Sequence, residues 1–151
     1  MSGAFVSRRG AIAWLVGGVG LLVGVAPVAR SQQRVLSDVA THRRWMDAAF
    51  EMRRLAESWG DQSYGAVVVM EGALIGEGPS RVVKRGDPDA HAEREAIRDA
   101  QARLGRRSLH GAILYSTSRP CNRCERVAAE ARIARMIHGI DLHDAGPPQR
   151  R

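Results

Sequence analysis

Two short segments constrain this chain more than anything else in it: His91-Ala92-Glu93, and further on Pro120-Cys121-Asn122-Arg123-Cys124. Imidazole and thiolate are the side chains that hold zinc, and both of the chain's two cysteines lie in the second segment. Any fold that uses them must bring the segments together. Pro120 suits the first turn of a helix, because the donor it lacks would be unpaired there anyway. In a helix starting there, Cys121 and Cys124 lie one turn apart and face the same side.

The rest of the chain supplies elements to carry them. Apolar residues recur at helical spacing from Leu36 to Trp59, through Val39, Trp45, Met46, Ala49, Phe50 and Leu55, with Ser37 or Asp38 as a start and Gly60 as a stop. Ala66 to Met70 reads as a buried strand, Glu71-Gly72 as a turn and Leu74-Ile75 as the returning strand. A polar loop is predicted from Gly76 to Pro88, with Gly72, Gly76 and Gly78 as hairpin and turn glycines. A helix follows from near His91 to Arg103. Then come a strand at Ala112 to Tyr115, the Cys121 helix with Val127, Ala128, Ala131 and Ile133, and a last strand from Met136 to Ile140. The order α-ββ-α-β-α-β predicts an α/β domain whose sheet is covered by helices and whose later strands are parallel. The two ligand-bearing helix starts then fall at the same end of the sheet, where α/β proteins bind ligands.

Three protein ligands leave the fourth zinc position open for water, and zinc acidifies that water. Glu93, two residues from His91, reaches the same pocket and can carry protons. Helix N-termini favour the thiolates that zinc needs. A lone C-x-x-C also fits a thiol-disulfide oxidoreductase, but that chemistry has no use for His91 and Glu93. His42, His110, His138 and His143 share no ligand spacing and read as surface or loop residues; Trp45, Phe50 and Trp59 read as packing.

The full constellation, H-x-E…P-C-x-x-C, is the signature of zinc deaminases. From about Trp45 to Asp141 the chain resembles the cytidine and deoxycytidylate deaminase superfamily, within it the branch of tRNA adenosine, guanine and cytosine deaminases. The resemblance is carried by Gly65-Ala66-Val67-Val68-Val69, Ile75-Gly76-Glu77-Gly78, Asp87-Pro88-Asp89-Ala90-His91-Ala92-Glu93, Ala96-Ile97-Arg98, Leu114-Tyr115-Ser116-Thr117, Cys121 to Cys124 and Ala131 to Arg135. It implies a three-layer α/β/α cytidine deaminase-like fold with a mixed sheet of four to five strands. It also implies Zn²⁺ on His91, Cys121 and Cys124, Glu93 as the catalytic acid and base, and hydrolytic deamination of a nucleobase or nucleoside with release of ammonia. Ser80, Ala66, Ala92 and Arg119 are the substrate-binding residues it suggests. Ser80 stands where the branch commonly has Asn, and Arg119 where Glu often precedes Pro-Cys. These departures keep open a zinc-holding module without turnover. A homodimer is expected, both from the family and because a short apolar last strand at a sheet edge invites a second copy.

Charge and the N-terminus bear on partners and place. Of the net +7, residues 1–31 contribute Arg8, Arg9 and Arg30 and no acid, leaving 20 basic against 16 acidic residues. No basic run is interleaved with aromatics, so a small base or nucleoside is expected in preference to nucleic acid. Ser7-Arg8-Arg9-Gly10 before the uncharged run Ala11 to Val28, with Ala29 and Ser31 as small residues, has the pattern of an export signal. The twin arginines favour the Tat route, with a Sec signal or an uncleaved membrane anchor as alternatives. The expected organisation is a signal over 1–31, a deaminase domain over 32–143 and a disordered tail over 144–151, in an exported, periplasmic or extracellular protein.

Overall fold

The computed structural model describes the backbone of residues 27–150 and side-chain environments from residue 38. The uncharged run before Pro27 lies outside the described residues. Nine elements follow in order: α1 Pro27–Ser58, β1 Gly65–Met70, β2 Ala73–Pro79, α2 Val82–Arg85, α3 Ala92–Leu104, β3 Ile113–Ser116, α4 Asn122–Glu130, β4 Arg135–His138 and β5 His143–Gly146. The strands form one sheet in the order β2-β1-β3-β4-β5. It is mixed: β3 and β4 run parallel, and every other neighbouring pair is antiparallel.

Alternation along the strands sorts the sheet's two faces. Val67, Val69, Tyr115 and Ile137 meet Trp45, Met46 and Ala49 of α1 on one face. Ala66, Val68, Leu114 and Met136 meet Ala92, Ala96, Ile97 and Ala100 of α3 and Ala128 of α4 on the other. The result is the three-layer α/β/α arrangement that the resemblance implies. Among the described residues no helix is long and apolar enough to cross a membrane.

Several sequence expectations are corrected. The first helix, Pro27–Ser58, already includes residues well before the expected Ser37 or Asp38 start. The loop expected from Gly76 is instead the second half of β2, followed by the single turn α2. Gly76 and Gly78 are not turn glycines. A Cβ on Gly76 would stand 2.3 Å from the Ala96 carbonyl oxygen, and one on Gly78 would stand 2.1 Å from that of Ala92. Their bare backbone lets α3 lie directly on β2.

The tail is also more ordered than expected. His143 to Gly146 forms β5 against β4, with Arg135 paired to Asp144 at 2.5 Å. So β4 is an interior strand and not an exposed edge. Ala128, Ala131 and Ile133 of the Cys121 helix and its exit are buried in the core. The expectation of a second copy therefore loses its local support at the last strand. His42 is no free surface residue either: its Nδ1 shares a 2.7 Å hydrogen bond with the Tyr115 hydroxyl. Burial pushes that hydroxyl's pKa up to about 12.

Candidate metal centre

The ligand residues lie where the chain turns into its helices. His91 is the N-cap residue of α3 and Cys121 that of α4, each with extended backbone and without a side-chain cap bond. A side chain at such a position leaves the helix axis and can point away from it. Cys124 follows one turn into α4 and is fully buried, while Cys121 is exposed. The Cys124 and Cys121 sulfurs lie 3.5 and 3.8 Å from His91 Nδ1. All three donor atoms fall within 4.8 Å of one another.

These distances test the fit of a metal. Tetrahedral zinc with Zn–S of about 2.3 Å and Zn–N of about 2.0–2.1 Å separates N from S by roughly 3.6 Å, which matches what is found. One imidazole and two thiols are also a donor set suited to zinc. Burial, and then the charge of Glu93, push the Cys124 thiol far above its ordinary pKa. A zinc ion held there would be bound through the Cys124 thiolate, and the thiol proton would be displaced to solvent as the metal binds.

Glu93 sits in the first turn of α3 and is 5% exposed. Its Oε1 accepts a 3.0 Å hydrogen bond from the hydroxyl of Ser116, the last residue of β3. Ser116 shares its strand face with Leu114, toward α3, which is why it can reach.

A cavity of about 400 Å³ opens on this group, lined by Tyr64, His91, Ala92, Glu93, Ser118, Arg119 and Cys121. A second hollow of about 830 Å³ shares Tyr64, His91 and Ser118 with it and adds Arg53, Gln62, Ser63 and Thr117. Of the substrate-binding residues suggested by sequence, Ala92 and Arg119 lie on the cavity wall. Ser80 and Ala66 do not: Ala66 is in the core, and the Ser80 hydroxyl donates to Asp61 Oδ1 at 2.9 Å. Tyr64, Ser116 and Ser118 escaped the sequence reading. Strand alternation, carried two residues beyond Leu114, would have found Ser116.

Comparison with known proteins agrees with this geometry. The cytidine and deoxycytidylate deaminase zinc-binding region matches residues 39–140. The chain belongs to this deaminase family. As a family member it is 33% identical over 100 residues to a tRNA-specific adenosine deaminase of Buchnera aphidicola, covering 66% of each chain. It is 40% identical over 82 residues to a guanine deaminase of Bacillus subtilis, covering 54% of this chain and 53% of that one. The match thus spans between half and two thirds of these relatives. Among solved structures, a tRNA:A34 deaminase superposes with a TM-score of 0.62 at 36% identity over 64% of this chain and 70% of that one. The Bacillus subtilis guanine deaminase structure also gives 0.62, at 34% identity over 65% and 63%. The family and the His91/Cys121/Cys124 cluster together identify the cofactor as Zn²⁺.

Proposed function

We propose that this protein is a zinc-dependent hydrolytic deaminase of a nucleobase or nucleoside. The observation that carries the reading is the Glu93 carboxylate, buried on the cavity wall beside the three donors and held by Ser116. Zinc, when bound, supplies an acidified water as nucleophile. Glu93 accepts a proton as that water adds to the amino-bearing ring carbon, and passes it to the ring nitrogen. It then takes the second water proton to the departing amine, so the ring ends as a carbonyl and the nitrogen leaves as ammonia. Ser116 keeps the carboxylate aimed. The small Ala92 leaves room for a planar ring, and Tyr64, 46% exposed, offers a face for it to stack on. Arg119 brings a cation to the wall, suited to an acceptor on the ring. The adjoining hollow, lined by hydroxyls and the Gln62 amide, suits a sugar.

The reading includes export by residues 1–31, which places the substrate outside the cytoplasm and favours free bases and nucleosides over tRNA. The experiment is ammonia release by the zinc-loaded protein from guanine, cytosine, adenine, their nucleosides and an unmodified tRNA. Turnover of a base or nucleoside is expected. Turnover of the tRNA alone would overturn the substrate class. No release from any of them by a zinc-loaded protein would leave a binding module.

A further inference from the structure

The metal site is assembled from two helix starts far apart in sequence, and one carboxylate joins them. Asp89 Oδ1 accepts from Arg94 Nη1 at 2.5 Å and from Arg123 Nη1 at 3.1 Å. Arg94 lies in the first turn of α3, and Arg123 sits in the first turn of α4, between Cys121 and Cys124. Asp89 itself precedes His91 by two residues. Its backbone is fixed: its N–H donates to Asp87 Oδ1 at 2.8 Å, and the next N–H, of Ala90, donates to the Asp87 carbonyl at 3.0 Å. The Ala90 carbonyl in turn accepts from Arg81 N–H at 3.0 Å. The Arg94 side chain is only 18% exposed, and its Nε is buried without a hydrogen-bond partner among the described residues. That guanidinium therefore depends on Asp89.

We propose that Asp89 is a positioning residue for zinc, clamping the strand of chain that delivers His91 to the turn of helix that delivers both cysteines. Ion pairs this exposed contribute little to folding, with a median of about 0–1 kcal/mol. Their leverage here is geometric. Zinc leaves when its ligands separate, and the clamp opposes the separation of α3 from α4 that releases it. Groups bonded directly to ligands change metal affinity by about 10–100-fold. Asp89 touches no ligand and acts through the chain segments that carry them, so its loss should have a smaller effect and speed zinc release by about 3–10-fold.

The test is transfer of zinc from the loaded full chain to the chromophoric chelator 4-(2-pyridylazo)resorcinol, followed in time. Asp89→Asn and Arg123→Gln should each accelerate release by that factor, and the double variant should be no faster than the faster single one, since both break one link. Raising the salt should accelerate wild-type release and leave the variants unchanged, because salt screens an exposed pair. A variant that merely loosens the fold would not lose its salt dependence. Arg123→Gln, at an exposed position, keeps the test valid should Asp89→Asn fold poorly. Wild-type release rates in both single variants, or effects that simply multiply in the double variant, would overturn the proposal. The readout is the metal alone. Failure of every substrate would leave the clamp standing, and failure of the clamp would leave the deaminase reading untouched.

Discussion

A carboxylate 5% exposed beside two thiols is costly to bury. Ser116 offsets part of that cost at Glu93, and a bound cation would offset more. Glu93→Gln keeps the size of the side chain and an oxygen for the Ser116 hydroxyl, yet cannot accept a proton. The expected result is full zinc content with turnover lowered by at least the ~10²–10⁴-fold typical of a lost general acid–base group; metal analysis beside ammonia release reads both. Wild-type turnover in that variant would remove Glu93 from the chemistry. Asp61 makes a different prediction. Burial pushes its carboxyl up, but the N–H groups of Lys84, Gln62 and Val83 and the Ser80 hydroxyl together outweigh that and hold it below its ordinary 3.8. A depressed carboxylate stabilises the fold above the unfolded value and loses that contribution as the pH falls below it through the lowered folded value. Asp61→Asn should therefore destabilise the protein near neutrality, and the gap in urea midpoint should close below about pH 4. The His91/Cys121/Cys124 cluster and the position of Glu93 beside it were legible because they depend on spacing within two short segments. Ser80 was misplaced and His42 misjudged because their partners, Asp61 and Tyr115, lie 19 and 73 residues away.

At the scale of elements, the position of α3 on β2 decides where His91 and Glu93 stand. Gly78 meets α3 at Ala92, beside His91, and Gly76 meets it further along, at Ala96 and Ala100. Gly78→Ala must push the start of α3 off the sheet, because the nearest atoms are backbone and cannot rotate away. A loss of about 1–3 kcal/mol is expected from such overpacking, together with weaker zinc binding. Gly76→Ala should lose similar stability and hold zinc better. Urea unfolding of both variants, with zinc affinity by competition, separates the two effects; equal zinc affinity would show that β2 does not set the ligand geometry. α3, α4, the body of α1 and the central strands were legible from periodicity and apolar runs, whereas α2 and the start of α1 were not. β2 was cut short because glycines carry no hydrophobic signal, although here they mark contact. β5 was invisible for a related reason: all of it but Gly146 is exposed, so pairing with β4 and the Arg135–Asp144 bridge hold it, not burial.

The whole molecule places its sheet between α1 on one side and α3 with α4 on the other, with β2 and β5 as its edges. Copies that pair through the sheet must use one of those edges, and light scattering would reveal them. The proposed export depends on the other end of the chain. Arg8-Arg9→Lys-Lys should leave active enzyme in the cytoplasm if the route is Tat, and normal export of that variant would point to Sec. Cleavage after Ser31 would cut α1 near its start, so the fold has to survive a shortened first helix. Among the described residues, α1 is tied down by His42 to Tyr115, Arg43 Nη1 to the Ile140 carbonyl at 2.6 Å, and Trp45, Met46 and Ala49 on the sheet. Asp38, Val39 and Ala40 are exposed. A chain beginning at Gln32 keeps all of these contacts and is expected to hold zinc as the full chain does, with stability within about 0.5 kcal/mol. A chain beginning at Ala49 loses Trp45 and Met46, which are 6% and 0% exposed. Removing such side chains costs about 2–5 kcal/mol each, enough to unfold a domain of ordinary stability. Urea unfolding of the two truncated proteins is the measurement. A Gln32 form that fails to fold would show that the first turns of α1 are part of the mature protein, and would rule out cleavage at Ser31.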